Sequence, residues 1–248
     1  MMNFHIATIY NQKEQYTALL ETLVKAGFTE LNSRFSGFDN TVANRFDPYH
    51  TINEVLDASG EEYVIFCHQD VRFDQGDGYD TLKHRLSELD RNDGTWAVAG
   101  NAGVNSKYRI VVRITDPNHS PNWSGKFPQQ AFSLDENLLI FNTGTQARCT
   151  PSLSGFHFYG PDICLNAQQN GNSCYVIDYH ISHLSGGAFR EDFRLSLERF
   201  KTYWSSQFTF RLIKTVTNRT LCLSRNPLLR LIGSWRWVQK VLIKLSLV

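Results

Sequence analysis

"EEYVIFCHQDVRF", Glu61–Phe73, decides how the rest of the chain is read. Tyr63 to Cys67 form an apolar run with the length of a buried strand, and His68, Gln69 and Asp70 follow without transition. Buried strands usually close on glycine, asparagine or proline, because the chain must turn there. An imidazole and a carboxylate two residues apart, delivered by a rigid strand, suit a ligand, most simply a metal ion. The plain alternative is a polar strand cap.

The flanking sequence supplies a frame. Phe4 to Tyr10 is a β-type run. "KEQYTALLETLVKAG" spaces Tyr16, Leu19, Leu20 and Val24 as one helical face and stops at Gly27. "FTELNSRF" alternates like a strand, and "YHTINEVLDASG" predicts a second helix ending at Gly60. A helix near "GYDTLKHRLSELDR" and an apolar strand "TWAVAGNAGV" come after the opening stretch. Alternating strands and helices predict an α/β domain with a mostly parallel sheet flanked by helices. Ligands of such sheets sit at the carboxyl ends of the strands. Asn11, Asp39–Asn40 and His68–Asp70 all fall there. Further on, "DPNHSPNWSGKFPQQ" reads as a loop and "AFSLDENLLIFN" as a strand with a polar pair inside it. "GPDICLNAQQNG" reads as a short helix, and "SCYVIDYHISHLSGG" as a strand ending on His183 and a hinge.

Composition sets limits. Of 248 residues, 42% are hydrophobic and 20% charged, ordinary for a globular protein with a substantial core. The net charge of +1 hides an asymmetry: from Arg211 onward there are eight Lys/Arg and no acid, while the first 210 residues carry 17 basic and 24 acidic side chains. Five cysteines without CxxC spacing suit a reducing compartment. The N-terminus lacks the features of a signal peptide, and no apolar stretch reaches spanning length. The expected location is cytoplasmic.

Three segments, in order, resemble the family 2-like, GT-A-fold glycosyltransferases. "ASGEEYVIFCHQDV" resembles their DxD-type metal segment, in an HxD form. "FHFYGPDICLNAQQNG" resembles their later acidic segment, and "VIDYHISHLSGG" their closing strand and histidine. The resemblance covers roughly residues 3 to 205 and gives a domain at 1–205 with an extension at 206–248. It implies a nucleotide-sugar-dependent hexosyltransferase moving a sugar from a nucleotide-diphospho-sugar donor to an acceptor hydroxyl, with inversion. A divalent cation serves the departing diphosphate and a base takes the acceptor's proton. By this resemblance Asp70 is the direct metal ligand and His183 completes the metal site, while His68 either binds the metal or contacts ribose or phosphate of the donor. Imidazole ligands favour Mn²⁺ over Mg²⁺. Asp162 is the implied general base, although an Asp in a first helical turn is as often an N-terminal charge. The family's first carboxylate is replaced by Pro161, for which Asp135 or Glu136 is a candidate substitute. His157 is placed on the acceptor side; His157 and His180 are alternatives to His183. Asn11, Asp39 and Asn53 resemble nucleoside contacts, though Asn and Asp also dominate ordinary turns. A catalytically silent sugar-nucleotide binder is the rival reading.

The tail from Asn226 and Pro227 predicts one amphipathic helix. Leu228, Leu231, Ile232, Trp235, Val238, Leu242 and Leu245 share one face, and Arg236, Lys240 and Lys244 lie opposite. Such a helix suits the headgroups of an anionic membrane. It would attach the protein peripherally to the cytoplasmic face, near a saccharide or lipid-linked acceptor of surface polysaccharide or glycolipid assembly. Packing on its own domain or within a homo-oligomer is the alternative. Nucleic acid is not expected, because the acidic body repels phosphates.

Overall fold

The computed structural model describes residues 3–116, 122–185, 191–217 and 219–245. The chain begins with β1 (Phe4–Tyr10), α1 (Lys13–Lys25), β2 (Ser33–Asp39), α2 (Pro48–Ala58), β3 (Tyr63–Cys67), β4 (Val71–Arg72) and α3 (Tyr79–Asn92). β5 (Trp96–Gly100), β6 (Ala102–Asn105), β7 (Ile110–Thr115), β8 (Asn122–Ser124), β9 (Gln129–Leu134) and β10 (Leu138–Asn142) follow. Then come α4 (Tyr159–Gln169), β11 (Ser173–Val176), β12 (Ile181–His183), α5 (Glu191–Gln207), β13 (Arg211–Lys214), β14 (Thr220–Leu223), α6 (Pro227–Gly233) and α7 (Arg236–Lys244).

Twelve strands form one sheet in the order β2-β1-β3-β10-β5-β11-β9-β6-β7-β12-β4, with β8 on β7. Parallel pairing holds β2-β1-β3, β5-β11 and β7-β12; β10 runs antiparallel between β3 and β5. The sheet is buried on both faces, so its central strands are continuously apolar rather than alternating. Along β3, Val64 and Phe66 enter the core covered by α2, α4 and α5, while Tyr63, Ile65 and Cys67 enter the one under α1 and α3. This two-residue alternation is what the pleat dictates. α2 starts as its sequence implies: Pro48 takes the first turn and Asp47 accepts from the Tyr49 N–H.

Three expected strands are divided. "TWAVAGNAGV" breaks at the buried Asn101, and the β11–β12 stretch breaks at Ile177–His180. In "AFSLDENLLIFN" the polar pair lies between two strands: β9 and β10 sit apart in the sheet, and Asp135 Oδ1 accepts from Asn137 N and Nδ2 to make the turn. Apolar composition shows burial but not where the chain leaves the sheet.

The tail differs too. It forms two short helices, with Ser234 and Trp235 between them, instead of one. Gln239 is buried and donates to Thr220 O and Gly233 O, while Leu242 and Ile243 pack near Leu212 and Cys222. A Cβ at Gly233 would meet Cys222 Sγ at 2.4 Å, so glycine permits this close docking. A continuous helix would carry α7 away from the hairpin. Leu228, Leu231, Trp235 and Leu245 consequently stay exposed, with Leu229, Trp237 and Val241 beside them. Residue 206 is not where packing on the body ends. Ile213 and Leu223 join the main core, and Ser133 Oγ donates to Lys214 O at 2.8 Å.

Candidate active site

β1, β2 and β3 are adjacent and parallel, and their carboxyl ends open on a cavity of about 240 Å³. Asn11, Asn40, His68, Gln69, Asp70, Tyr159 and Ser185 are among the residues lining it. The polar triplet after β3 has divided duties. Gln69 Oε1 accepts from the N–H groups of Asn11 and Gln12, and its Nε2 donates to Asn11 Oδ1 at 2.7 Å. α1 has no side-chain cap at Gln12, so this amide satisfies donors that the helix start leaves unpaired. His68 and Asp70, on either side, remain for the cavity.

With His183 from β12 they form a cluster whose ligand atoms lie within 4.8 Å of one another. His183 Nε2 is 3.5 Å from Asp70 Oδ1, and its Nδ1 is 4.0 Å from Asp116 Oδ1. Asp70 also accepts from Ser185 Oγ. Burial opposes the Asp70 charge, but His183, His68 and Ser185 hold its carboxyl well below the usual range. Burial and the facing His183 lower His68 to about 4, so its ring is neutral at pH 7. His183 moves the other way: burial lowers it, but the Asp70 carboxylate outweighs this and raises it.

The His68 tautomer follows from its neighbour. The Tyr159 hydroxyl donates to Glu136 O at 3.2 Å and lies 2.7 Å from His68 Nε2. With its proton given to the carbonyl, the phenol oxygen accepts from Nε2–H, leaving the Nδ1 lone pair for a ligand. His183 Nε2, buried, has no hydrogen-bond partner among the described residues. A neutral imidazole, an orphaned buried nitrogen and an ionised carboxylate fit a transition-metal ion, and hydrogen-bonded neighbours such as Tyr159 orient such ligands.

The structure separates other expected residues from this cavity. Asp162 is 0% exposed. Its Oδ1 accepts from Thr150 Oγ1 at 2.7 Å and Trp204 Nε1 at 2.8 Å; its Oδ2 accepts from Thr150 N at 2.7 Å and Asn166 Nδ2 at 3.3 Å. Burial raises it to about 6 against these donors. Sealed this way, Asp162 cannot reach an acceptor hydroxyl, and the base assignment to it is corrected. Asn53 is also misplaced as a nucleoside contact: its amide bonds both backbone groups of Cys149 and ties α2 to the segment before α4. Asp39 is exposed, accepting from Thr41 N and Oγ1, next to the cavity-lining Asn40. His180 Nε2 is 2.8 Å from Thr115 Oγ1, and the His157 ring packs on Phe193. Residues 186–187 of the expected hinge and 117–121 of the expected loop lie outside the described residues.

Glu136 takes the more telling position. It is partly exposed, and its Oε1 accepts from Gly160 N at 3.4 Å, at the start of α4. A Cβ at Gly160 would come within 3.2 Å of Glu136 Cγ and 2.6 Å of Leu134 O, so the glutamate fills the space of a missing helix side chain. Burial, then Asp135, push its carboxyl up to about 8 despite the N–H groups of Gly160, Phe158 and Tyr159. Phe158 at φ 69° lies in the left-handed region, strained for an aromatic residue, where the chain turns into α4. Gln69, Tyr159 and Asp116 had no sequence signal, because each is defined by a partner 57 to 91 positions away. The short Asp135-Glu136-Asn137 turn could have drawn more attention.

No protein-family model matches the chain. It is 30% identical over 222 residues to the "ATP synthase subunits region ORF 6" protein of Fuscovulum blasticum, an alignment covering 87% of this chain and 89% of that protein. Among solved structures, S. aureus TarS 1-349 in complex with UDP-GlcNAc aligns over 83% of this chain at TM-score 0.55 and 15% identity. The mannosyltransferase PcManGT from Pyrobaculum calidifontis, in complex with GDP-Man and Mn²⁺, aligns over 83% at TM-score 0.52 and 11% identity. The chain spans 65% and 63% of those two chains, respectively. It therefore belongs to the family of the Fuscovulum blasticum protein and has the GT-A-like fold of the glycosyltransferases.

Proposed function

We propose that this protein transfers a sugar from a nucleotide-diphospho-sugar donor to an acceptor hydroxyl, and that His68, Asp70 and His183 hold a divalent cation for it. The carrying observation is that cluster, two of whose members, His68 and Asp70, line the cavity at the ends of three strands. A bound cation would neutralise the departing diphosphate. His68 Nδ1, His183 Nε2 and a carboxylate oxygen of Asp70 supply the ligands, a donor set favouring Mn²⁺ over Mg²⁺. Asn11 and the Asp39–Asn40 corner hold the nucleoside, and Phe156 and Tyr159 wall the sugar side.

Glu136, rather than Asp162, is the base. Its ionised carboxylate takes the proton of the acceptor hydroxyl as that oxygen bonds to the anomeric carbon. The bond from that carbon to the diphosphate breaks with its electron pair, and the sugar inverts. A group that ionises near neutral pH suits this work.

The acceptor is a saccharide or lipid-linked molecule in surface polysaccharide or glycolipid assembly, reached from the cytoplasmic face. The exposed tryptophans and leucines among the tail's cations support an anionic membrane surface as partner. Among the described residues, no helix is long and apolar enough to cross a membrane. The burial of Asp162 favours a second reading, a sugar-nucleotide binder without turnover. Thermal shifts with nucleotide sugars, with and without Mn²⁺, test the site. Ligand at 100 times its Kd should stabilise by about 2.7 kcal/mol. Release of free nucleoside diphosphate separates enzyme from binder, and absence of both responses would reject each reading.

A further inference from the structure

A second concavity, about 650 Å³, lies between the β6–β7 turn, the β13–β14 hairpin and α7. Six cations line it: Lys107, Lys214, Arg219, Arg236, Lys240 and Lys244. No carboxylate among the described residues does. Among the described residues, no ion pair engages Lys107, Arg236, Lys240 or Lys244, and all four are exposed. Concentrating positive charge on a net-acidic body makes a local anion-attracting field and orients the molecule toward its source.

The lining is built rather than incidental. Lys107 precedes Tyr108, a buried residue at φ 57° whose hydroxyl donates to Leu212 O at 3.2 Å. Lys214 Nζ in turn donates to Tyr108 O at 3.0 Å. The turn and hairpin thus brace each other, and α7 closes the third side through buried Gln239. α7 lies along the groove, lining it from Arg236 at its first turn to Lys244 at its last.

Next along α6 and α7 lie Leu228, Leu231, Trp235, Trp237 and Val241, 63%, 59%, 47%, 64% and 47% exposed. A soluble phosphate compound would explain the cations but not this apolar strip. A bilayer explains both, because interfacial binding combines buried apolar area with attraction to anionic headgroups.

We propose that this groove seats the phosphate-bearing headgroup of an anionic lipid while the α6–α7 strip inserts beside it. This deepens the membrane part of the proposed function, and its test is run without donor, so its failure leaves sugar transfer standing. The site differs from a diffuse basic tail because Lys107 comes from the β6–β7 turn and Lys214 is fixed to that turn through Tyr108 O.

Full-length protein is pelleted with phosphatidylcholine vesicles, with or without phosphatidylglycerol. Lys107→Gln with Lys240→Gln is compared against Lys83→Gln with Arg225→Gln, which removes the same charge outside the groove. The groove pair should weaken binding to the anionic vesicles by roughly thirty-fold and the control pair far less, given the attraction each basic residue near the surface contributes. Trp235→Ser with Trp237→Ser should abolish the salt-resistant fraction. Equal losses for the two charge pairs would overturn the groove in favour of a diffuse tail. Thermal protection by inorganic phosphate without pelleting would overturn the lipid in favour of a soluble ligand.

Discussion

Substituting Asp162 by Asn separates a structural carboxylate from a catalytic one. The native oxygens accept from two N–H groups, one amide and one hydroxyl, and all four partners are protein. Asparagine keeps the shape but turns one acceptor into a donor. Facing one way, its NH₂ meets the Thr150 N–H and the Asn166 amide; flipped, it meets the Trp204 indole N–H. Either choice leaves at least one buried donor unpaired, costing about 1–3 kcal/mol. For a chain of this size, each kcal/mol moves Tm by about 2–4 °C, so a drop of about 4–8 °C is expected for a 2 kcal/mol loss. Urea denaturation should show a lower midpoint at unchanged slope. Glycosyl transfer measured well below the new Tm should stay close to wild type. An unchanged melting curve with turnover reduced about 10²–10⁴-fold, the usual loss for a general base, would refute this and return Asp162 to the base role.

Glu136→Gln should retain donor binding yet lose about 10²–10⁴-fold in rate. Because the base form is the ionised carboxylate and its pKa is raised to about 8, wild-type kcat/KM should climb as pH rises through that value, and the variant should lack this limb. Asp70→Ala should fold but lose Mn²⁺-dependent stabilisation by a nucleotide sugar, seen in a melting curve, and Mn²⁺ should support more wild-type turnover than Mg²⁺. Tyr159→Phe removes the hydroxyl that orients His68, and calorimetry should show metal affinity about 10–100-fold weaker. Deleting 226–248 outright would confound a membrane test, since it bares the hairpin residues Phe210, Leu212 and Cys222 that face Leu242 and Ile243.

The sequence by itself determined the parts that local physics controls. Apolar runs and helical spacing placed β1, α1, α2, β3, α3 and α4 within a few residues, because the burial of each is written into its own side chains. The abrupt end of the apolar β3 run put His68 and Asp70 at a strand end, where a parallel sheet exposes its ligands. His183 was named from a resemblance, and the fold brings it within ligand distance of both. Tertiary structure alone decided the rest. Asp162 and Glu136 have the same chemistry in the sequence. Trp204 from α5 and Thr150 close over one, while the missing side chain of Gly160 makes room for the other. Gln69 and Tyr159 acquire their roles from partners far along the chain, which no local pattern encodes. The tail's apolar stripe likewise could not show which side would dock. Gln239 turned inward because two carbonyls, on Thr220 and Gly233, satisfy its amide there, leaving tryptophans and leucines outside. Burial of a polar group depends on whether a partner waits for it, and that is settled only when the chain is folded.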